Sequence, residues 1–178
     1  MQINLEAKPP FSLASVIKSY GWIQLAPFSM LSGEARLTYV DQLHSGKVVK
    51  LVIQEAPNGV TVDTGVSINL EEQEEITEKV ISMLGLDLDF SDFYKLIANE
   101  PRLASVRTFA RGCVLRSPTL FEDTVKTILT TNTVWGSTRE WLKDWGRNLD
   151  RTCLQIQYCR LFRHPDRLPA VIPQFCVR

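Results

Sequence analysis

At 178 residues, with twenty lysines and arginines set against twenty aspartates and glutamates, the chain suits one compact domain or two small subdomains and carries no net charge. That balance excludes nucleic-acid binding through the field of the whole molecule, so any such binding has to come from a local basic surface. No apolar run is long enough to span a bilayer and no charged-then-apolar leader opens the sequence, so the expectation is a soluble, intracellular protein without a membrane partner.

Ile3 and Leu5 alternate with polar neighbours and predict a short first strand before Pro9-Pro10. Ser12 is placed to cap a short helix whose Leu13, Val16, Ile17 and Tyr20 share a face, with Gly21 ending it. Trp22 and Phe28 are aromatic core candidates. From Glu34 the period changes to two, with Ala35, Leu37 and Tyr39 alternating with Arg36, Thr38 and Val40, and His44-Ser45-Gly46 supplies a turn. Lys47 to Glu55 is almost continuously β-branched or aliphatic, Pro57-Asn58-Gly59 is a strong turn signal, and Val60 to Ile68 alternates again. Strands at these separations predict an antiparallel meander. His44 has no acidic or nucleophilic partner nearby in sequence and reads as a surface turn residue rather than a base.

Asn69 followed by Glu72 has the spacing of a capping box, and Glu71, Glu72, Glu74 and Glu75 favour the positive end of a helix. Ile76, Val80, Met83 and Leu84 form its buried stripe, closed by Gly85. Ser91 or Asp89 is expected to cap a further helix with Phe93, Leu96 and Ile97 inward, halted by Pro101. Arg102, Arg107, Arg111 and Arg116, with Lys95 and Lys126 nearby in sequence, are the best candidate for a basic surface patch; scattered solubility charges are the alternative.

Pro118 suits a helix entrance because it has no amide proton to leave unsatisfied, and Thr119 with Glu122 again has capping-box spacing. The predicted helix buries Phe121, Val125, Ile128 and Leu129, while Glu122 and Asp123 sit in its first turn, where carboxylates serve as caps. Asn132 continues the stripe one turn beyond Ile128, among Thr130, Thr131 and Thr133. It fits a helix C-terminal cap, because asparagine tolerates left-handed backbone geometry. It also fits an amide held at a pocket mouth, able to donate and accept toward a ligand. The readings are compatible.

Leu115-Arg116-Ser117-Pro118-Thr119-Leu120-Phe121-Glu122-Asp123, continuing through Thr127-Ile128-Leu129-Thr130-Thr131-Asn132-Thr133, resembles the helix before the hairpin in the helix-hairpin-helix DNA glycosylase superfamily. The likeness is above all to the alkylbase and 8-oxoguanine DNA glycosylase branch, whose members begin with an antiparallel sheet domain. Phe11 to Phe28 is similar to the start of that domain and Leu86 to Tyr94 to the family's interhelical passage, so the likeness covers Phe11 to Thr138. The resemblance implies an α+β fold: a sheet subdomain over residues 1–68, a partial helical subdomain over 69–138, and an atypical tail over 139–178. It also implies a base-excision-repair relative of enzymes that hydrolyse the N-glycosidic bond of a damaged base, acting on double-stranded DNA without a cofactor. Asn132 is the implied DNA contact, with Thr131, Thr133 and Arg116 around it.

The sequence after Thr138 departs from the family. Its next helix, its glycine-bearing hairpin and its catalytic aspartate find no counterpart, and Pro165, Pro169 and Pro173 prevent a long helix. Cys153, Cys159 and Cys176 lack CxxC spacing, so together with His164 they do not lead to an expected metal site. One shifted codon frame admits an amphipathic helical string over Glu140 to Trp145 and, over Leu161 to Pro165 and Arg167 to Arg178, strings similar to the family's approach to its hairpin. The expectation is a frame change near Arg139 that removes the catalytic half, leaving no catalytic residue and no glycosylase turnover. A non-catalytic DNA-binding remnant and a protein-interaction module are the alternatives.

Overall fold

The computed structural model describes residues 1–30 and 35–147, with side chains through residue 142. Five antiparallel strands form one sheet in the order β1-β5-β4-β3-β2: β1 Gln2–Glu6, β2 Phe28–Met30, β3 Arg36–Gln42, β4 Val48–Ala56 and β5 Gly59–Asp63. Helices α1 Leu13–Ile17, α2 Leu70–Leu84, α3 Ser91–Leu96, α4 Ala104–Thr108, α5 Leu120–Thr130 and α6 Trp135–Arg147 complete an α+β architecture, with 3-10 turns at Gly21–Gln24 and Pro101–Leu103. The expected meander is β3-β4-β5, in register from Leu37 opposite Ile53 to Ile53 opposite Val62.

The sheet differs from the sequence reading at three places. The three-residue β2, after Pro27, is too short to show an alternation, and it pairs Phe28 with Tyr39 on the far edge. β5 ends at Asp63 rather than Ile68, because the Asp63 carboxylate accepts the Gly65 amide at 3.0 Å and Thr64 Oγ1 donates to the Val66 carbonyl at 2.7 Å. These local bonds offer the backbone a turn in place of the ladder. Along β3 the polar positions Thr38, Asp41 and Gln42 are buried with the apolar ones, so both faces of that strand are covered. Asp41 is held there by Lys79 Nζ at 2.6 Å.

α2 forms as its local signals direct. Asn69 Oδ1 accepts the Glu72 amide at 2.8 Å and Glu72 Oε2 accepts the Asn69 amide at 3.1 Å, which completes the capping box. Ile76, Val80, Met83 and Leu84 lie fully buried against Leu13, Val16 and Ile17 of α1 and Leu51, Ile53 and Val62 of the sheet, in one apolar core. Gly85 at φ 60° ends the helix with its space closed, since a Cβ there would stand 2.7 Å from Cys113 Sγ. His44 is an exposed turn residue, as expected, and it donates to Glu75 from both its amide and its ring. Burial would raise the Glu75 carboxyl, but hydrogen bonds from Lys79 and His44 override it and hold the group at about 2, so the contact survives mild acid.

The remaining helices depart more. α1 stops at Ile17, and Tyr20 lies beyond it in extended backbone. In α3 the inward residue is Tyr94, with Ile97 buried at the C-terminal cap as expected; Phe93 is exposed and Leu96 is 83% exposed, against expectation. The cause is tertiary: Tyr94 Oη donates to the Arg111 carbonyl at 2.7 Å, which rotates this six-residue helix away from its apolar stripe. α4 ends in a Schellman motif, with the Arg111 amide on Val106 O at 2.8 Å and the Ala110 amide on Arg107 O at 3.1 Å. The left-handed position is held by Ala110 at φ 48°, where glycine is the unstrained residue. Ala110→Gly is therefore expected to raise stability by about 1 kcal/mol, read as an increased urea midpoint at unchanged slope.

Candidate functional site

α5 joins the sheet to the turn that carries Thr131, Asn132 and Thr133. Thr119 Oγ1 accepts the Glu122 amide at 3.2 Å, but the Glu122 side chain does not complete the predicted capping box. It turns inward, accepts Tyr39 Oη at 2.9 Å and pairs with Lys126 one turn on, which also donates to Ser117 Oγ at 3.4 Å. The Lys126 ammonium stands 4.6 Å from the centre of the Phe28 ring, with Lys126 0% and Glu122 2% exposed. Lys126 thus leaves the predicted surface patch and becomes the centre of a buried polar seam. Ile128, expected inside, is 57% exposed, because the inward face of α5 runs through Glu122, Val125, Lys126 and Leu129. The i,i+4 spacing of Glu122 and Lys126 was a visible signal for the pair. Tyr39 and Phe28, which make burial tolerable, are distant in sequence.

An aromatic column closes the same seam. Tyr20 stacks on Trp22 at 4.8 Å and Trp22 on Trp135 at 6.5 Å between ring centres. Trp22 Nε1 donates to Asp123 Oδ1 at 2.8 Å, and the Ser117 amide donates to the same carboxylate oxygen at 3.4 Å. Burial and the Asp123 charge push the Tyr20 hydroxyl up to about 12 against the opposing pull of Arg116, so it stays protonated at physiological pH. Gly21 is needed under the column: a Cβ would lie 2.2 Å from the Trp135 ring.

The turn after α5 is tightly held. Thr131 is the helix cap, and its amide donates to the Ile128 carbonyl at 3.0 Å. Thr133 Oγ1 donates to the Leu129 carbonyl at 2.8 Å and shares a bond with Thr138 Oγ1 at 3.0 Å. At the foot of α6, Gln24 Oε1 accepts Trp135 Nε1 at 3.1 Å and Arg139 Nη1 at 3.2 Å. Asn132 itself sits at φ 55°, exposed, and its amide makes no hydrogen bond among the described residues. The backbone therefore takes the predicted left-handed geometry while the side chain stands ready to donate and accept. Thr131, Asn132 and Thr133 come together. Arg116 does not join them: it is exposed before the opposite end of α5, about 16 Å away by the rise of an eleven-residue helix.

Both carboxylates of α5 are occupied, Glu122 by Lys126 and Tyr39 and Asp123 by Trp22 and Ser117. Both Glu122 oxygens are taken, and Asp123 uses Oδ1 for Trp22 and the Ser117 amide. Burial raises the Cys113 thiol, which contacts the Leu84 carbonyl at 3.0 Å. Cys153, Cys159, Cys176 and His164 lie outside the described residues. No helix among the described residues is long and apolar enough to cross a membrane.

No protein-family model and no curated protein sequence matches the chain. In fold it is similar to the solved 3-methyladenine DNA glycosylase from Archaeoglobus fulgidus, with a TM-score of 0.60, 17% sequence identity, and coverage of 80% of this chain and 48% of that one. The chain therefore spans about half the length of that structure, and at this identity the likeness establishes the shared fold.

Proposed function

We propose that this chain is a DNA glycosylase-like base-excision-repair protein that binds double-stranded DNA at a damaged base through the turn Thr131-Asn132-Thr133 and does not cleave the base. The observation that carries this reading is the free, exposed Asn132 amide at the end of α5, in a fold similar to a 3-methyladenine DNA glycosylase. A free amide carried on a turn whose backbone is fixed fits an opened nucleobase, which presents donors and acceptors on its pairing edge once rotated out of the stack. Arg116, at the far end of the helix, supplies a phosphate contact to the same duplex. Within this reading, residues 1–68 and 69–138 act as the sheet and helical subdomains, and residues 139–178 are a tail altered by a frame change, joining the helix-hairpin-helix superfamily at its first half only.

The chemistry of the step supports the inactive reading. Breaking the bond between base and deoxyribose builds positive charge on the sugar, and a free carboxylate is needed beside it. Glu122 is buried against Lys126, and Asp123 holds Trp22 through Oδ1. A lesion-bearing duplex titrated with the purified protein is expected to bind more weakly as salt rises and to release no base. Base release would overturn the inactive reading, and failure to bind at any salt concentration would overturn the DNA reading itself. A gene sequence whose codons are incompatible with the shifted frame would remove the altered tail.

Leu120 and Ile128 face outward from α5 and favour a second reading, a protein-interaction module. It takes precedence if the duplex does not bind.

A further inference from the structure

We propose that the knot from Pro101 to Arg111 is a separate nucleic-acid surface that takes unpaired, single-stranded nucleic acid, using arginines for the phosphates and Phe109 as a stacking platform. In a chain of zero net charge, no acidic residue occurs between Pro101 and Phe121, whereas Arg102, Arg107, Arg111 and Arg116 all do. All four are exposed and none forms an ion pair among the described residues. The nearest acid, Glu100, uses its carboxylate on the Arg102 backbone amide at 3.3 Å. Asp92, on α3, is paired with Lys95.

Three of these arginines share one compact unit. Arg102 lies on the 3-10 turn that leads directly into α4, Arg107 lies on α4, and Arg111 follows its Schellman cap. Phe109 is 55% exposed, and the Arg111 guanidinium lies over its ring at 5.2 Å from the centre. The backbone beneath is fixed from two sides, by Ser15 Oγ of α1 donating to the Phe109 carbonyl and by Tyr94 Oη of α3 donating to the Arg111 carbonyl. The platform is therefore set before a ligand arrives, which limits the ordering entropy lost on binding.

The combination selects its ligand. Guanidinium groups bind phosphate in a bidentate fork that lysine cannot reproduce, and the only cations within Pro101 to Arg111 are arginines. An exposed aromatic ring flanked by arginine gains from an unstacked base, whose face is available in a single strand and hidden in a duplex. An anionic membrane would also attract the charges, but it makes no use of the guanidinium stacked on the ring.

The test is a fluorescence anisotropy titration of the full chain with a labelled oligothymidylate at several salt concentrations. Binding is expected, with a slope of log affinity on log salt of about −2 for three phosphate contacts, falling to about −0.7 in Arg107→Gln/Arg111→Gln. Phe109→Ala is expected to weaken binding about tenfold, and Phe109→Tyr to restore it. Asn132→Gly should leave single-strand binding unchanged, so this surface and the α5 turn fail separately. The proposal is overturned by an absence of binding, by binding that these variants do not alter, or by binding only to vesicles containing phosphatidylserine.

Discussion

Glu122→Leu is expected to destabilise the protein by about 3–5 kcal/mol, because it leaves the Lys126 ammonium fully enclosed without its counter-charge. What remains around Lys126 is weak compensation: Ser117 Oγ at 3.4 Å and the face of the Phe28 ring. The same substitution removes the bond from Tyr39 Oη to Glu122 that closes the seam between sheet and helix. The double variant Glu122→Leu/Lys126→Met has a different outcome. With both charges gone and volume kept, it is expected to melt close to the unaltered protein or above it, since the pair had to be desolvated on folding. Urea denaturation of the two variants side by side is the measurement. A single-variant loss below about 1 kcal/mol would mean that the lysine reaches water.

Gly59→Ala is the other large effect, expected at about 3–5 kcal/mol from backbone strain combined with overpacking. Gly59 has φ +155°, and a Cβ there would lie 2.1 Å from Leu5 O, 2.8 Å from the Ala7 nitrogen and 3.0 Å from the Glu6 carbonyl carbon. All three are main-chain atoms at the end of β1, so no side chain can move aside. The strand has to leave β5, and with it go the pairs from Gln2 opposite Asp63 to Glu6 opposite Gly59. Hydrogen exchange should show β1 amides losing protection while those of β3 keep theirs. Gly46→Ala is the control: its φ of 82° is also positive, yet nothing lies within 4 Å, so only about 1–2 kcal/mol of strain is expected.

The elements read correctly from sequence are those whose causes are local. α2 carries its start in Asn69 and Glu72, its stop in Gly85, and its buried face in an unbroken stripe. The β3-β4-β5 meander is written in the short turns His44-Ser45-Gly46 and Pro57-Asn58-Gly59. Where distant residues decide, the pattern misleads. Spacing puts Ile128 with Phe121, Val125 and Leu129 on the inward face of α5, whereas the structure turns Lys126 inward, where Tyr39, Phe28 and Glu122 surround the seam. α3 was turned the same way by its bond to Arg111, and β5 was cut short by side chains that bond their own backbone. In the candidate site, the left-handed geometry of Asn132 was legible because few residues other than glycine tolerate it. The occupation of Asp123 by Trp22, 101 residues away, was not.

Asn132→Gly isolates the proposed contact between the Asn132 amide and DNA, because glycine keeps the left-handed turn at φ 55° while removing only the side chain. Affinity for a lesion-bearing duplex, measured by anisotropy beside the unaltered protein, is predicted to fall about tenfold at an unchanged melting temperature, the loss of one or two hydrogen bonds. Equal affinity in the two proteins would contradict the account.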